Sequence, residues 1–220
     1  MRPDPLARHS WVWLTECWKA HLRGPAGTET VAVAESWQAL GRPFVVASPA
    51  AHDDGDDLRL GLALPDKRRV GLHLAPAAVV RSATPPSLRA VIVHVPAAWR
   101  ARLRQVDAAA EAAGLPVAVY GSLAWEHWCG VAYVRPDSDV DLLFDAQAAP
   151  PLGPVLNFAE TLSADAGPPR LDGELILPDG RAVAWREFAH RPDELLIKGA
   201  GGPALRPRPS IEALLRGTAP

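Results

Sequence analysis

Two carboxylates flank a single valine in Ser138-Asp139-Val140-Asp141-Leu142-Leu143, and a Gly-Ser pair, Gly121-Ser122, follows Tyr120 upstream. In an extended strand alternate side chains share a face, so Asp139 and Asp141 point one way while Val140 and Leu142 point the other. Like charges held side by side repel unless a cation sits between them. Hard oxygen ligands suit Mg²⁺, which keeps positions open for water and substrate phosphates. Gly121 lets the main chain come close to a phosphate, and the Ser122 hydroxyl and amide at a helix start can donate to its oxygens. The chemistry these residues suit is phosphoryl or nucleotidyl transfer. Asp139 and Asp141 would hold the metals, one polarising the attacked phosphorus and its leaving group, the other activating the attacking oxygen. A third carboxylate on a neighbouring strand would complete the site; Asp172 is the choice and Glu174, on the same strand face, the reserve.

The elements that must position these groups are legible from periodicity and turn residues. Pro116 to Tyr120 is a short apolar strand delivering Gly121-Ser122, Leu123 to Cys129 suits a helix, and Gly130 suits its stop. The turn Arg135-Pro136-Asp137-Ser138 leads into a strand from Asp139 to Phe144, and a helix from Pro154 to Ala164 can lie on the sheet. Arg170 to Leu177 alternates like a strand, and Pro178-Asp179-Gly180 turns the chain into a strand from Arg181 to Trp185. A hairpin from Glu194 to Arg206 precedes a short helix with Ser210 as its N-cap. Before all of this comes an apolar run, Ala90 to Val95, then a helix from Pro96 with Trp99, Leu103, Val106 and Ala110 at helical spacing.

Upstream, Thr28 to Leu40 predicts a helix stopped by Gly41 and Pro43, and Phe44 to Ala47 a strand. The acidic stretch His52 to Asp57 reads as an exposed connection lacking the spaced ligands of a Ca²⁺ loop. Leu58 to Ala63 and Arg69 to Leu74 form a hairpin across Pro65-Asp66-Lys67. Arg81 to Ser87 has linker composition, which sets an N-terminal α+β domain at 1–82 and a second domain at 88–220. There is no internal repeat.

At 220 residues the chain can bury a sizeable core, and its eight tryptophans argue for packed structure throughout. A net charge of -2 with both signs interspersed does not resemble a nucleic-acid-binding surface, and the expectation is no nucleic-acid partner. Cys17 and Cys129 read as free, reduced thiols, and the histidines show no zinc spacing. No apolar run approaches the ~20 residues of a spanning helix, and the N-terminus lacks a signal-peptide core, so the expectation is a cytoplasmic protein without a membrane partner.

In the order strand, Gly-Ser, helix, strand with Asp-x-Asp, strand with Asp, the chain resembles the nucleotidyltransferase superfamily of the polymerase-beta type, with a longer interval from Ser122 to Asp139 than in many members. Tyr120 to His127, Arg135 to Leu143, Asp172-Gly173-Glu174-Leu175 and Ala184-Trp185-Arg186-Glu187 resemble the malonate decarboxylase holo-acyl-carrier-protein synthases, the phosphoribosyl-dephospho-CoA transferase family. Arg8 to Leu14 and the Lys67-Arg68-Arg69 hairpin fit the same family. The resemblance implies an α+β fold with a nucleotidyltransferase domain on a mixed sheet. It implies transfer of phosphoribosyl-dephospho-CoA from triphosphoribosyl-dephospho-CoA to a serine of the apo acyl carrier protein of malonate decarboxylase, with release of pyrophosphate. The related carrier protein of citrate lyase stands as an alternative acceptor.

Lys67, Arg68 and Arg69 could grip the phosphate-rich donor or an acidic carrier protein; a solvated hairpin edge is the alternative. Arg135, Arg170 and Lys198 are further candidate phosphate ligands, each on its own commoner as a surface charge. His127 could face the site or be a half-buried helix histidine. Trp11, Trp13, Trp18 and Trp37 suit either a carrier platform or core packing, and Trp125 and Trp128 core or pocket wall. Two other functions stay open: a nucleotidyltransferase modifying a small molecule or other hydroxyl, and a non-enzymatic carrier-protein-binding factor whose carboxylates are structural.

Overall fold

A computed structural model describes residues 6–48, 57–148, 151–199 and 201–217. The N-terminal Met1–Pro5, Ala200 of the last hairpin, and His52 to Asp56 of the acidic connection lie outside the described residues. The chain divides into two compact units: residues 1–85 with 128–132, and residues 86–127 with 133–220.

The first unit is an antiparallel sheet of β1 (Trp11–Leu14), β2 (Phe44–Val46), β3 (Leu58–Ala63), β4 (Arg69–Leu74) and β5 (Val79–Ala83), in the order β4-β3-β2-β1-β5. Helix α1 (Thr28–Ala39) packs on β4 and is pinned by Trp37, whose indole donates to the Pro43 carbonyl at 2.8 Å. Aromatic and β-branched side chains give β1 its strand, and Trp11, Val12 and Leu14 are buried. Trp13 is tied at both ends: its indole donates to the Gly41 carbonyl at 3.0 Å, and the Arg81 guanidinium lies 3.4 Å from its ring centroid. The stretch from Arg81 reads as linker, yet Arg81 to Ala83 end β5 and pair with Trp13 to Trp11. The strand is an edge, exposed along most of its length, so polar residues there look like a connection. Trp128 belongs to this unit, with its ring 6.2 Å from Trp11 and 5.2 Å from Trp13.

The second unit holds β6 (Val117–Tyr120), β7 (Val140–Asp145), β8 (Leu171–Ile176), β9 (Ala182–Ala184), β10 (Glu194–Lys198) and β11 (Ala204–Pro207), in the order β11-β10-β9-β8-β7-β6. Only β7 and β8 run parallel among these pairs, and their crossover is α5 (Leu152–Ala164), as a parallel connection requires. Helices α2 (Leu88–Val91), α3 (Ala97–Ala112), α4 (Gly121–Cys129), α6 (Trp185–Ala189) and α7 (Arg208–Leu215) complete the elements. The fold is thus α+β, with one antiparallel and one mixed sheet.

Period-two alternation separates the two faces of the mixed sheet. Val119, Leu142, Phe144, Leu175, Val183 and Ile197 are buried on one face, where Phe144 meets Phe158 of α5 edge-on at 4.9 Å and Trp185 of α6 at 6.2 Å. Tyr120, Asp141, Asp172, Glu174 and Lys198 occupy register positions of the opposite face.

Four local boundaries differ from those the sequence indicates. The strand into Trp185 stops at Ala184, where α6 begins and buries Trp185 and Phe188. Ser210 is not the N-cap of the last helix: α7 starts at Arg208 after Pro207, and the Ser210 hydroxyl donates back to the Pro207 carbonyl at 2.7 Å. The helix after Gly-Ser includes that pair, starting at Gly121. The apolar run from Ala90 begins inside α2, whose true N-cap is Ser87, its hydroxyl accepting from the Ala90 N–H at 3.2 Å.

Candidate active site

Strand β6 ends at Tyr120, opposite Asp141 in the antiparallel register, and the next residue must clear the Asp141 carboxylate. Gly121 has φ +63°, and a Cβ there would stand 1.9 Å from Asp141 Oδ2. Only glycine fits this combination of backbone and space. Ser122 follows in the first turn of α4, half-buried. The Gly-Ser pair and the Asp-x-Asp pair, distant in sequence, are therefore neighbours.

Asp141 also faces Asp172 across the parallel β7–β8 register. Asp139 precedes β7, at the end of a turn in which the Arg135 N–H donates to the Ser138 hydroxyl at 2.9 Å. Arg170 Nη2 lies 3.0 Å from Asp172 Oδ2 and 3.5 Å from Asp139 Oδ2. The other Asp172 oxygen, Oδ1, accepts from the Gly173 N–H at 2.8 Å. Gly173 has φ +136°, and a Cβ would fall 1.9 Å from the Leu142 carbonyl oxygen, so glycine is what lets β8 lie against β7 here. Glu174 is 2% exposed and accepts from Lys198 Nζ at 2.8 Å.

Asp141 has no cation within ion-pair distance among the described residues. Burial pushes its carboxyl up to about 6, and the charges of Asp172, Asp139 and Glu174 push the same way against a smaller opposing pull from Arg170. Asp139 and Asp172 share one guanidinium while Asp141 stands beside them without it, and carboxylate oxygens of this kind are the donor type a hard divalent cation takes, Asp141 being the member most in need of one. Glu174 is the poorer third ligand, because its buried carboxylate is already neutralised by the half-exposed Lys198. Among the described residues no three His, Cys, Asp or Glu side chains converge as a ready cage, which accords with Arg170 reaching across Asp139 and Asp172.

Several supporting residues escape sequence reasoning. Glu126 on α4 accepts from the Tyr133 and Val134 N–H groups, both at 2.9 Å, and so anchors the loop that returns to Asp139. Arg186 donates to the Leu171 carbonyl at 2.8 Å and Glu187 accepts from the Leu196 N–H at 3.0 Å, fixing β8 and β10 from α6. An Asp-like cap or a paired-charge spacing would signal such roles; here each partner is remote in sequence. Arg170 and Lys198, candidate phosphate ligands that singly are commoner as surface charges, sit on carboxylates of the same sheet face.

Lys67, Arg68 and Arg69 belong to the first unit. Arg68 is paired with Asp66 at 2.8 Å and lies 3.9 Å from Glu29. It borders a cleft of about 370 Å³ with Trp37, Leu40, Arg42 and Leu64. A cleft of about 440 Å³ in the second unit opens at the Pro116 end of β6, away from Gly121, and is lined by Arg89, Asp107 and Glu111 rather than by site residues. His127 lies on α4 with its ring 6.3 Å from that of His94; burial and then His94 hold its pKa below the usual histidine value. Both cysteines are free, and burial pushes the Cys129 thiol up to about 11, which makes it a poor nucleophile. No helix among the described residues is long and apolar enough to cross a membrane.

Comparison with known proteins covers both units. The N-terminal domain model of phosphoribosyl-dephospho-CoA transferase MdcG matches residues 7–85, and the C-terminal domain model matches residues 87–209. A phosphoribosyl-dephospho-CoA transferase of Xanthomonas axonopodis pv. citri is 36% identical over 209 residues, 93% of this chain and 95% of that protein. One from Bradyrhizobium diazoefficiens is 32% identical over 198 residues, covering 88% and 87%. One from Pseudomonas aeruginosa is 36% identical over 133 residues, covering 59% and 61%. No solved structure matches.

Proposed function

The chain belongs to the phosphoribosyl-dephospho-CoA transferase family, and from that premise we propose that it moves phosphoribosyl-dephospho-CoA from triphosphoribosyl-dephospho-CoA to a serine of the apo acyl carrier protein of malonate decarboxylase. The observation that carries the site assignment is the fit of Gly121 against Asp141, with Asp141 in register with Asp172. This joins two separated motifs at one place on the sheet. We read the domain as a nucleotidyltransferase of the polymerase-beta type, in which that juncture is where phosphates meet carboxylates.

In this reading Asp139, Asp141 and Asp172 hold Mg²⁺. When bound, the ion supplies positive charge to the transferred phosphoryl group and the departing pyrophosphate. The chain's own groups do the remaining work. Gly121 leaves room for the Asp141 carboxylate against the start of α4, and Ser122 offers its hydroxyl and the first-turn amide of α4 to a phosphate oxygen. The serine oxygen of the carrier forms a bond to the phosphorus nearest the ribose as its proton leaves to solvent, and the bond from that phosphorus to pyrophosphate breaks, its electron pair leaving with pyrophosphate. Lys67 and Arg69 offer charge for an anionic donor or carrier, while Arg68 enters such binding only by leaving Asp66.

Intact-mass measurement of the apo carrier protein, incubated with this protein, Mg²⁺ and the donor, tests the proposal. The expected result is a gain equal to the phosphoribosyl-dephospho-CoA group, lost with Asp139→Ala or Asp141→Ala proteins that remain folded. No gain with the folded wild-type protein, or an equal gain with both variants, overturns it. A gain on the citrate lyase carrier at an equal rate would replace the acceptor and keep the chemistry.

A further inference from the structure

We propose that Arg170 is a placeholder for the divalent cation: it holds Asp139 and Asp172 in the metal-free protein, yields their oxygens when the ion arrives, and then turns its guanidinium to the phosphates of the donor. This rests on the reading that Asp139, Asp141 and Asp172 hold the ion.

Four observations support it. One nitrogen, Nη2, serves both carboxylates, at 3.0 Å to Asp172 and 3.5 Å to Asp139, so a single positive group spans two of the three groups assigned to the metal. The Arg170 side chain is 64% exposed, and an exposed ion pair separates at little cost. Its main chain is fixed independently: the Arg170 carbonyl accepts from the Val140 N–H at 2.9 Å, beside the start of β7. The guanidinium can therefore leave Asp139 and Asp172 without moving either strand. The neighbouring Lys198–Glu174 pair shows the contrast, since Glu174 is 2% exposed and its pairing belongs to the packed sheet.

Charge explains the direction of the exchange. A guanidinium is one positive charge beside three carboxylates, and among the described residues Asp141 has no cation of its own. A divalent ion supplies more charge to the same oxygens, and a donor bearing a triphosphate then presents the negative groups a free guanidinium binds best, two oxygens at a time.

Mn²⁺ is the probe for the test, with free Mn²⁺ followed by electron paramagnetic resonance. Titrations compare wild type, Arg170→Gln, Arg170→Lys and Asp141→Asn, each with its fold verified by circular dichroism. Removing a competing positive charge should tighten Mn²⁺ binding about fivefold in Arg170→Gln, leave Arg170→Lys between it and wild type, and Asp141→Asn should lose binding. At saturating Mg²⁺, Arg170→Gln should raise KM for the donor about tenfold with a smaller fall in kcat, a split that a purely structural pair would not produce. Equal or weaker Mn²⁺ binding by Arg170→Gln, with binding still lost in Asp141→Asn, overturns the placeholder and spares the metal site. Absence of Mn²⁺ binding in every protein, or binding indifferent to Asp141→Asn, overturns both.

Discussion

A carboxyl group whose proton affinity rises on folding weakens the fold wherever it is ionised. Asp141 has an ordinary value of 3.8 and a folded value of about 6, so between those pH values the folded state binds more protons than the unfolded chain. Stability contributed by this residue is therefore highest below about pH 4, falls as pH rises through about 6, and stays low above it. The full effect is on the order of 2–3 kcal/mol. In urea unfolding, the advantage of Asp141→Asn over wild type should grow from pH 4.5 to about 6.5 and then level; a difference that does not change with pH would show that Asp141 is not so perturbed. Gly121→Ala tests the same spot sterically. Its methyl must displace the Asp141 carboxylate and hold a positive φ, so it should cost about 1–3 kcal/mol in a thermal melt and reduce transfer at least as severely as Asp141→Asn. A variant with wild-type transfer would remove Gly121 from the site. At this scale the sequence is informative about Asp139, Asp141, Gly121 and Ser122, since strand periodicity and a Gly-Ser turn are local signals. The partner of Glu174 is not local: Lys198 meets it only because β9 lies between β8 and β10.

Elements explain how an irregular return can deliver Asp139 accurately. The segment from Tyr133 to Ser138 has no strand or helix of its own, and Glu126 ties its beginning to α4 through two backbone N–H groups. Truncation in Glu126→Ala removes the carboxylate that both N–H groups donate to and should cost about 1–3 kcal/mol. The distinguishing measurement is hydrogen exchange, which should quicken at Tyr133 and Val134 while β7 amides stay protected. Uniform quickening across the second unit would show a global rather than a local role. Strands β7 and β8 are legible because one face is apolar and the other charged. Strand β5 is not, because both its faces are largely exposed and its stability comes from pairing with β1. Helix α6 hides for the opposite reason: Ala182 to Trp185 is apolar enough to continue a strand, and burial of Trp185 and Phe188 decides for a helix.

At the scale of the whole molecule, the two sheets differ in kind, one wholly antiparallel and one mixed with its carboxylates beside the parallel pair. Composition and length indicate an α+β protein, while the membership of Trp128–Ala132 in the first unit depends on contacts with Trp11 and Trp13 that no sequence window contains. Trp128→Ala should therefore lower stability by about 2–3 kcal/mol and alter the near-ultraviolet dichroism of the tryptophan cluster. A melt indistinguishable from wild type would show that the ring adds nothing there. The same arrangement constrains how the protein can be made. As the chain leaves the ribosome, residues 1–85 emerge with the Trp11 and Trp13 side of their sheet still unfinished, and the piece that finishes it is encoded inside the region that builds the other unit. The N-terminal half reaches its full packing only once residues 128–132 have been made, and no single cut in the gene separates the two units whole.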